Sequence, residues 1–120
     1  MAGEYVPLVL IPRFSAFTGA TTFTTIAMDV SNYSNAIVNI WRGPLDGTSV
    51  NVGFTLQEST DQYTWSDCAG TSWPVDPTAD MEAQYNGTLT KRWFRIKVLT
   101  SGTDPRLTCW AMGFLELRES

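Results

Sequence analysis

Glu58, in Thr55-Leu56-Gln57-Glu58-Ser59, is the acidic residue that continues the core-facing register of an apolar alternation, so the search for chemistry starts there. A carboxylate held near a core can act as a general acid, or as half of a glycosidase-type pair. Most of the other carboxylates fall in turn-like segments or near the chain ends, which is solvated surface. The chain has no histidine. That removes the Ser-His and Cys-His nucleophile pairs and the commonest general base. Two cysteines, Cys68 and Cys109, do not make a zinc site of the usual kind without imidazole beside them. Glu58 is therefore expected just past the core edge, paired with Arg92 or Arg95. The chain is expected to have no enzymatic activity, no cofactor and no metal.

Ser59-Thr60-Asp61-Gln62-Tyr63-Thr64-Trp65 is the most specific local feature. It resembles the Asp-box S-x-D-x-G-x-T-W, but is one residue short and lacks the glycine. Its physical content survives. Asp61 closes an Asx-type turn through backbone amides, and Trp65 pins the hairpin to the core. That is a structural role.

Binding chemistry is better represented than catalysis. Of five tryptophans, Trp41, Trp65 and Trp110 lie in or beside apolar strands and are expected in the core. Trp73, in Gly70-Thr71-Ser72-Trp73-Pro74, and Trp93, out of phase with Phe94 and Ile96, are the expected exposed aromatics. Exposed tryptophan suits both a sugar platform and a protein hot spot. Lys91, Arg92, Arg95 and Lys97 gather half of the eight basic residues within seven positions. A solvated strand face is the plain explanation. The sharper one makes Trp93, Arg95 and Lys97 a stripe that docks on an acidic surface, such as a neighbouring copy.

The remaining composition points the same way. Charged residues make up 17% of the 120, and threonine, with sixteen copies, takes much of their place. A hydroxyl- and aromatic-rich surface suits contact with protein. Net charge is −4, which disfavours nucleic acid and anionic membranes alike. The start Met1-Ala2-Gly3-Glu4-Tyr5 lacks a basic region, and the apolar run that follows is short and carries Pro7. A cytosolic site of synthesis with reduced cysteines is the expectation. Asn32-Tyr33-Ser34 and Asn86-Gly87-Thr88 match the glycosylation pattern, which has no meaning there.

The elements that must carry these residues are strands. Val50, Val52, Phe54 and Leu56 alternate with Asn51, Gly53, Thr55 and Gln57; Phe94, Ile96 and Val98 alternate with Trp93, Arg95 and Lys97. Ile26, Met28 and Val30 repeat the pattern. Ala36 to Trp41 is apolar enough for both faces to be covered. Leu107 to Arg118 reads as a central strand, or one that changes sheets at Gly113 through a bulge. Turns are expected at Gly43–Gly47, at Asn86-Gly87 and at Ser101–Pro105. Thr78 to Tyr85 has room for one or two helical turns. The prediction is one all-β domain over residues 1–120, an antiparallel β-sandwich or jelly roll of seven to eight strands. Residues 1–17 form an arm or edge strand, because Pro7 confines Tyr5 to Ile11 to an edge or to a region outside the sheet. Their apolar side chains, among them Tyr5, Val9, Ile11, Phe14 and Phe17, either join the domain's own sheet or pair with a partner by strand addition.

In order along the chain, the apolar arm, Trp41-Arg42-Gly43-Pro44, Thr55 to Asp61 with Trp65, Arg92 to Val98 and Trp110-Ala111-Met112-Gly113 resemble the β-sandwich structural proteins of tailed-phage virions. The nearest class is the capsid decoration, or cement, proteins. The resemblance covers most of the chain as a pattern of strands. It implies a domain, often trimeric, that sits outside the capsid where major capsid subunits meet and clamps the expanded shell. Partners would then be the major capsid protein and copies of this chain, in a virion assembled in the host cytoplasm. The interface residues expected from both lines of reasoning are Tyr5, Val9, Ile11, Phe14, Phe17, Trp73, Trp93, Arg95 and Lys97. The alternatives are a phage neck or tail component and a carbohydrate-binding module using its exposed aromatics.

Overall fold

The computed structural model describes residues 5–19, 22–76 and 81–118, with the side chains of residues 13, 14, 69–76 and 81 outside the description. Seven strand segments run in order as β1 (Tyr5–Thr18), β2 (Thr22–Thr24), β3 (Met28–Asp29), β4 (Tyr33–Ser59), β5 (Ser66–Asp76), β6 (Met81–Thr88) and β7 (Trp93–Leu117). Every pairing among them is antiparallel.

The long strands β4 and β7 pair with one another from Tyr33↔Leu117 to Ser59↔Trp93, and this ribbon is folded in half. Register breaks between Arg42 and Asn51 mark the fold. Gly47 and Ser49 on β4, with Gly102 and Asp104 on β7, all have left-handed backbone at that level. A pair of such residues on each strand turns both strands together without breaking the ladder. A Cβ on Gly47 would lie 2.6 Å from the Asp104 carbonyl oxygen, and one on Gly102 would lie 2.8 Å from that of Ser49. Only glycine fits either place.

The fold creates two four-stranded layers. In the first, β1, residues 106–117 of β7, residues 33–46 of β4 and β6 lie side by side. In the second, β2 and β3 together, residues 93–103 of β7, residues 48–59 of β4 and β5 do so. With β4 and β7 each counted twice, and β2 and β3 as one, this is the eight-strand order of a jelly roll. Backbone bonds stitch the free ends of the ribbon: Val30 N donates to Arg92 O (2.7 Å), Tyr33 N to Val30 O (3.0 Å) and Arg118 N to Asn32 O (2.8 Å).

Alternation then fixes the core. Val38 and Ile40 in the first layer, and Val52, Phe54, Leu56, Phe94, Ile96 and Val98 in the second, are completely buried between the layers. Burying each of the large ones contributes roughly 1.5–3 kcal/mol. Arg42 is also fully buried, its guanidinium 5.4 Å from the centre of the Phe54 ring. Cys68 and Cys109 are buried and form no disulfide. Burial pushes both thiols up to about 12. A thiol-specific reagent at pH 8 is therefore expected to modify the folded chain orders of magnitude more slowly than the unfolded chain, as time-resolved labelling would measure.

Several sequence expectations are corrected. Gly43–Gly47 and Ser101–Pro105 are not hairpin turns but the two strands of the corner, within β4 and β7. Asn86-Gly87 is also no turn, since these residues pair with Ile37 and Ala36 inside β6. Residues 81–85 are strand rather than helix, because their partners on β4 supply a ladder; residues 77–80 lie outside the description. Gly113 carries no bulge. It pairs regularly with Leu8 and Val38, in close contact with the Ile37 carbonyl. The strand changes layers at the corner instead. Only Met28 and Asp29 of the 26–30 alternation are strand, and Ile26 is 88% exposed. Residues 36–41 are covered fully on one face only.

Candidate interaction surface

The outer face of the first layer is built from the residues that alternate with the core. On β1 these are Tyr5, Pro7 and Val9; on β7, Trp110, Met112, Phe114 and Glu116; on β4, Asn35, Ile37, Asn39 and Trp41. Register aligns them in rows: Pro7, Phe114 and Ile37 share one, Val9, Met112 and Asn39 the next, and Trp110 faces Trp41. Tyr5, Val9 and Phe114 are each about half exposed, at 52%, 52% and 47%. They are three of the five large hydrophobics that stand out in solvent among the described residues. Clustered apolar surface of this kind marks a contact site.

Trp41 and Trp110 stack with ring centroids 4.1 Å apart and planes 18° from parallel. The pair needs Gly43, where a Cβ would run into the Trp41 ring. Both tryptophans are half-buried on the outer face, which corrects the expectation that they belong to the core. The alternation settles it: Ile40 and Ala111, one residue away from each, point inward. At the end of this face Asn35 Nδ2 donates to Glu116 Oε1 (3.0 Å). The Tyr5 hydroxyl also bonds to the Glu116 carboxylate, which pushes the phenol above its usual value. The far flank is β6, where Glu82, Gln84, Asn86 and Thr88 are exposed.

The second layer presents a different outer face. Trp93, Arg95 and Lys97 lie on it together, as their alternation predicts, all half-buried. Arg95 is occupied within the chain: Nε donates to Gln57 Oε1 (3.0 Å), and the guanidinium lies 3.9 Å from the centre of the Trp65 ring. Gln57 in turn donates to Asp67 (3.1 Å). Arg92 sits 5.1 Å from the centre of the Trp93 ring and pairs with Asp29 (3.0 Å). Trp65 thus caps an arginine on the surface rather than entering the core.

The Ser59–Trp65 loop keeps the predicted Asx geometry. Asp61 Oδ1 accepts from the amides of Tyr63 (2.8 Å) and Thr64 (2.9 Å), and Trp65 Nε1 donates to Gln62 O (3.2 Å). Those amides hold the Asp61 carboxyl below its usual range, as the Ser31 amide does for Asp29. Both folded values lie below the unfolded ones. Their stabilisation is therefore present above the ordinary aspartate pKa and lost as pH falls through the folded values. An acid titration followed by the chain's tryptophan fluorescence should show a loss of stability below about pH 4 that Asp61→Asn reduces.

Glu58 is buried, as its register predicts, but its pairing with Arg92 or Arg95 is corrected. Its carboxylate accepts from Thr90 N (2.8 Å), Thr90 Oγ1 (2.9 Å) and Lys91 N (3.1 Å). It holds the entrance to β7, where a loop with no ladder partner needs an acceptor. Glu58→Ala strands these donors and is expected to cost about 2–3 kcal/mol in urea unfolding, with no change in the shape of the transition.

Of the other expected interface residues, Ile11 is 2% exposed and belongs to the core, because a register shift after Val9 turns it inward. The Phe17 ring packs against that of Phe23 at a tilt of 31°, with centroids 4.6 Å apart. The side chains of Phe14 and Trp73 lie outside the described residues. A surface hollow of about 620 Å³ lies at the corner beside Gly19 and Asp104, away from the aromatic faces. Sequence reasoning missed Trp110, Met112 and Phe114. Their alternation with Cys109, Ala111 and Leu115 was the available signal.

No family model and no curated protein matches this chain. Solved structures do match. A chain in the structure of infectious bursal disease virus strain Gx superposes with a TM-score of 0.65 over 96% of this chain, at 11% identity. One from strain Gt does so with a TM-score of 0.59 over 97%, at 10% identity. The present chain spans about a third of the length of each, 32% and 33%. At such identity the likeness establishes the fold, an antiparallel jelly roll.

Proposed function

We propose that this chain is a structural protein of a virus particle and acts through contacts between subunits. The observation that carries the reading is the outer face of the first layer, where exposed Tyr5, Val9 and Phe114 occupy the rows to one side of the Trp41–Trp110 stack. Its fold likeness to chains of a virus structure supports the same reading. In finer form, the chain decorates the outside of a phage capsid assembled in the host cytoplasm, with the major capsid protein and copies of itself, as a trimer, for partners. Many copies, each binding only the assembled shell, stabilise that shell by mass action. β1 completes the domain's own first layer, so its outward residues Tyr5 and Val9 contribute as part of a sheet face and not as a free arm.

The test is co-sedimentation of the purified chain with shells of the parent virus that lack it. Saturable binding at a fixed ratio to shell subunits is the expected result, with a higher disassembly temperature for the decorated shell. The carbohydrate-binding alternative draws on Glu82, Gln84 and Asn86 beside the tryptophan pair. Glycan binding by a monomer that ignores shells would favour it.

A further inference from the structure

The two outer faces carry different charge. The rows of the first layer's face that hold the exposed aromatics, residues 5–9, 35–41, 82–88 and 110–116, contain Glu82 and Glu116 and no lysine or arginine, while Arg106, paired with Asp46, and Arg118 lie at the two ends of that face. The second layer's face carries Trp93, Lys97 and Arg95, the last engaged by Gln57 and Trp65, and among the described side chains its carboxylates Asp29 and Asp67 are already engaged by Arg92 and Gln57. Lys97 stands between Thr24 and Thr55 in register, with no acidic residue opposite it on either neighbouring strand.

We infer that the apolar, acidic face of one copy packs on the aromatic, basic face of the next, head to tail. This rests on the virion reading and names the partner of its contact surface as a second copy of this chain. Complementarity of sign supports the arrangement, while area makes any single contact a weak one. Four strands about 4.8 Å apart and seven residues long, at about 3.3 Å each, give a projected face of roughly 440 Å². That is about half of the roughly 800 Å² per partner of a stable pair. A contact that pairs the first face with itself would use this area once. Head-to-tail packing uses a face on each side of every copy, and repetition around a ring or array compensates for weakness in any single contact.

Sedimentation velocity over a concentration series at low and high salt tests it, with wild type, Glu82→Lys, Lys97→Glu and an equimolar mixture of the two variants. The wild type should self-associate, more weakly at high salt. Each variant alone should associate about tenfold or more weakly, because like charges then meet. The mixture should recover, since the altered faces complement each other. Association unchanged by Lys97→Glu but lost in Glu82→Lys would overturn head-to-tail packing in favour of a two-fold contact through the first face. A wild type that stays monomeric yet binds shells would overturn the copy-to-copy contact and leave the virion reading standing. Circular dichroism on each variant separates lost contacts from lost folding.

Discussion

Replacing Gly113 with alanine is expected to destabilise the domain by about 3 kcal/mol or more, enough to lower its melting temperature by roughly 10 °C. The added Cβ would run into the carbonyl oxygen of Ile37, with the Ile37 carbonyl carbon 2.8 Å and the Val38 Cα 3.1 Å away. All of these are backbone atoms, so no side chain can swing aside. The collision falls where β4 and β7 pair in the middle of the first layer, and relief requires prising apart the ribbon that both layers share. Gly19→Ala is the useful contrast. Its backbone is left-handed, but nothing lies within 4 Å of the new methyl. Only conformational strain remains there, and the cost should be about 1 kcal/mol. Thermal unfolding of the two variants side by side checks both the magnitude and its cause.

The second large effect concerns assembly instead of folding. Phe114→Asp should leave the domain folded, with stability within about 1 kcal/mol of wild type, because the ring is half in solvent already. Its affinity for the shell should fall at least about 30-fold, equivalent to about 2 kcal/mol, as expected when an aromatic anchor at the centre of a contact is replaced by a charge. Phe114 neighbours Pro7 and Ile37 in register and lies with Tyr5 and Ile37 against a wholly apolar hollow. A carboxylate there would lose its water on docking and find no cation among its neighbours. Ile26→Asp is the control. That side chain is 88% exposed but lies outside the face, so binding should be unchanged.

The sequence revealed the strands wherever alternation was uninterrupted. Residues 50–56 and 94–98 point as their pattern demands, and β1, which carries Pro7, lies at the edge of its layer, one of the two places that proline left open. The corner was harder to see. Gly43–Gly47 and Ser101–Pro105 have the composition of turns, and their left-handed residues do bend the chain, but each bend continues a ladder with a strand some sixty residues distant. Local composition reports a bend; only the long-range pairing decides whether the chain reverses or turns a corner. The same limit explains Asn86-Gly87, whose hairpin tendency yields to a partner strand on β4. Tryptophans raise a further difficulty. Trp41 and Trp110 sit in apolar runs, yet each is out of phase with the buried positions, and their stack shields on the surface what burial would otherwise hide. Glu58 was placed correctly by phase, while its partners, the amides of Thr90 and Lys91, come from a loop that carries no pattern.

The central claim is that the outer face of the first layer is covered in the particle. Hydroxyl-radical footprinting of the free and the shell-bound chain tests it most directly. Trp110, Met112 and Phe114 should oxidise readily in the free chain, diluted until it is monomeric, and be protected several-fold when bound, while Tyr63, 89% exposed on the far loop, reacts alike in both. Equal oxidation of Trp110, Met112 and Phe114 in the two states would contradict the account.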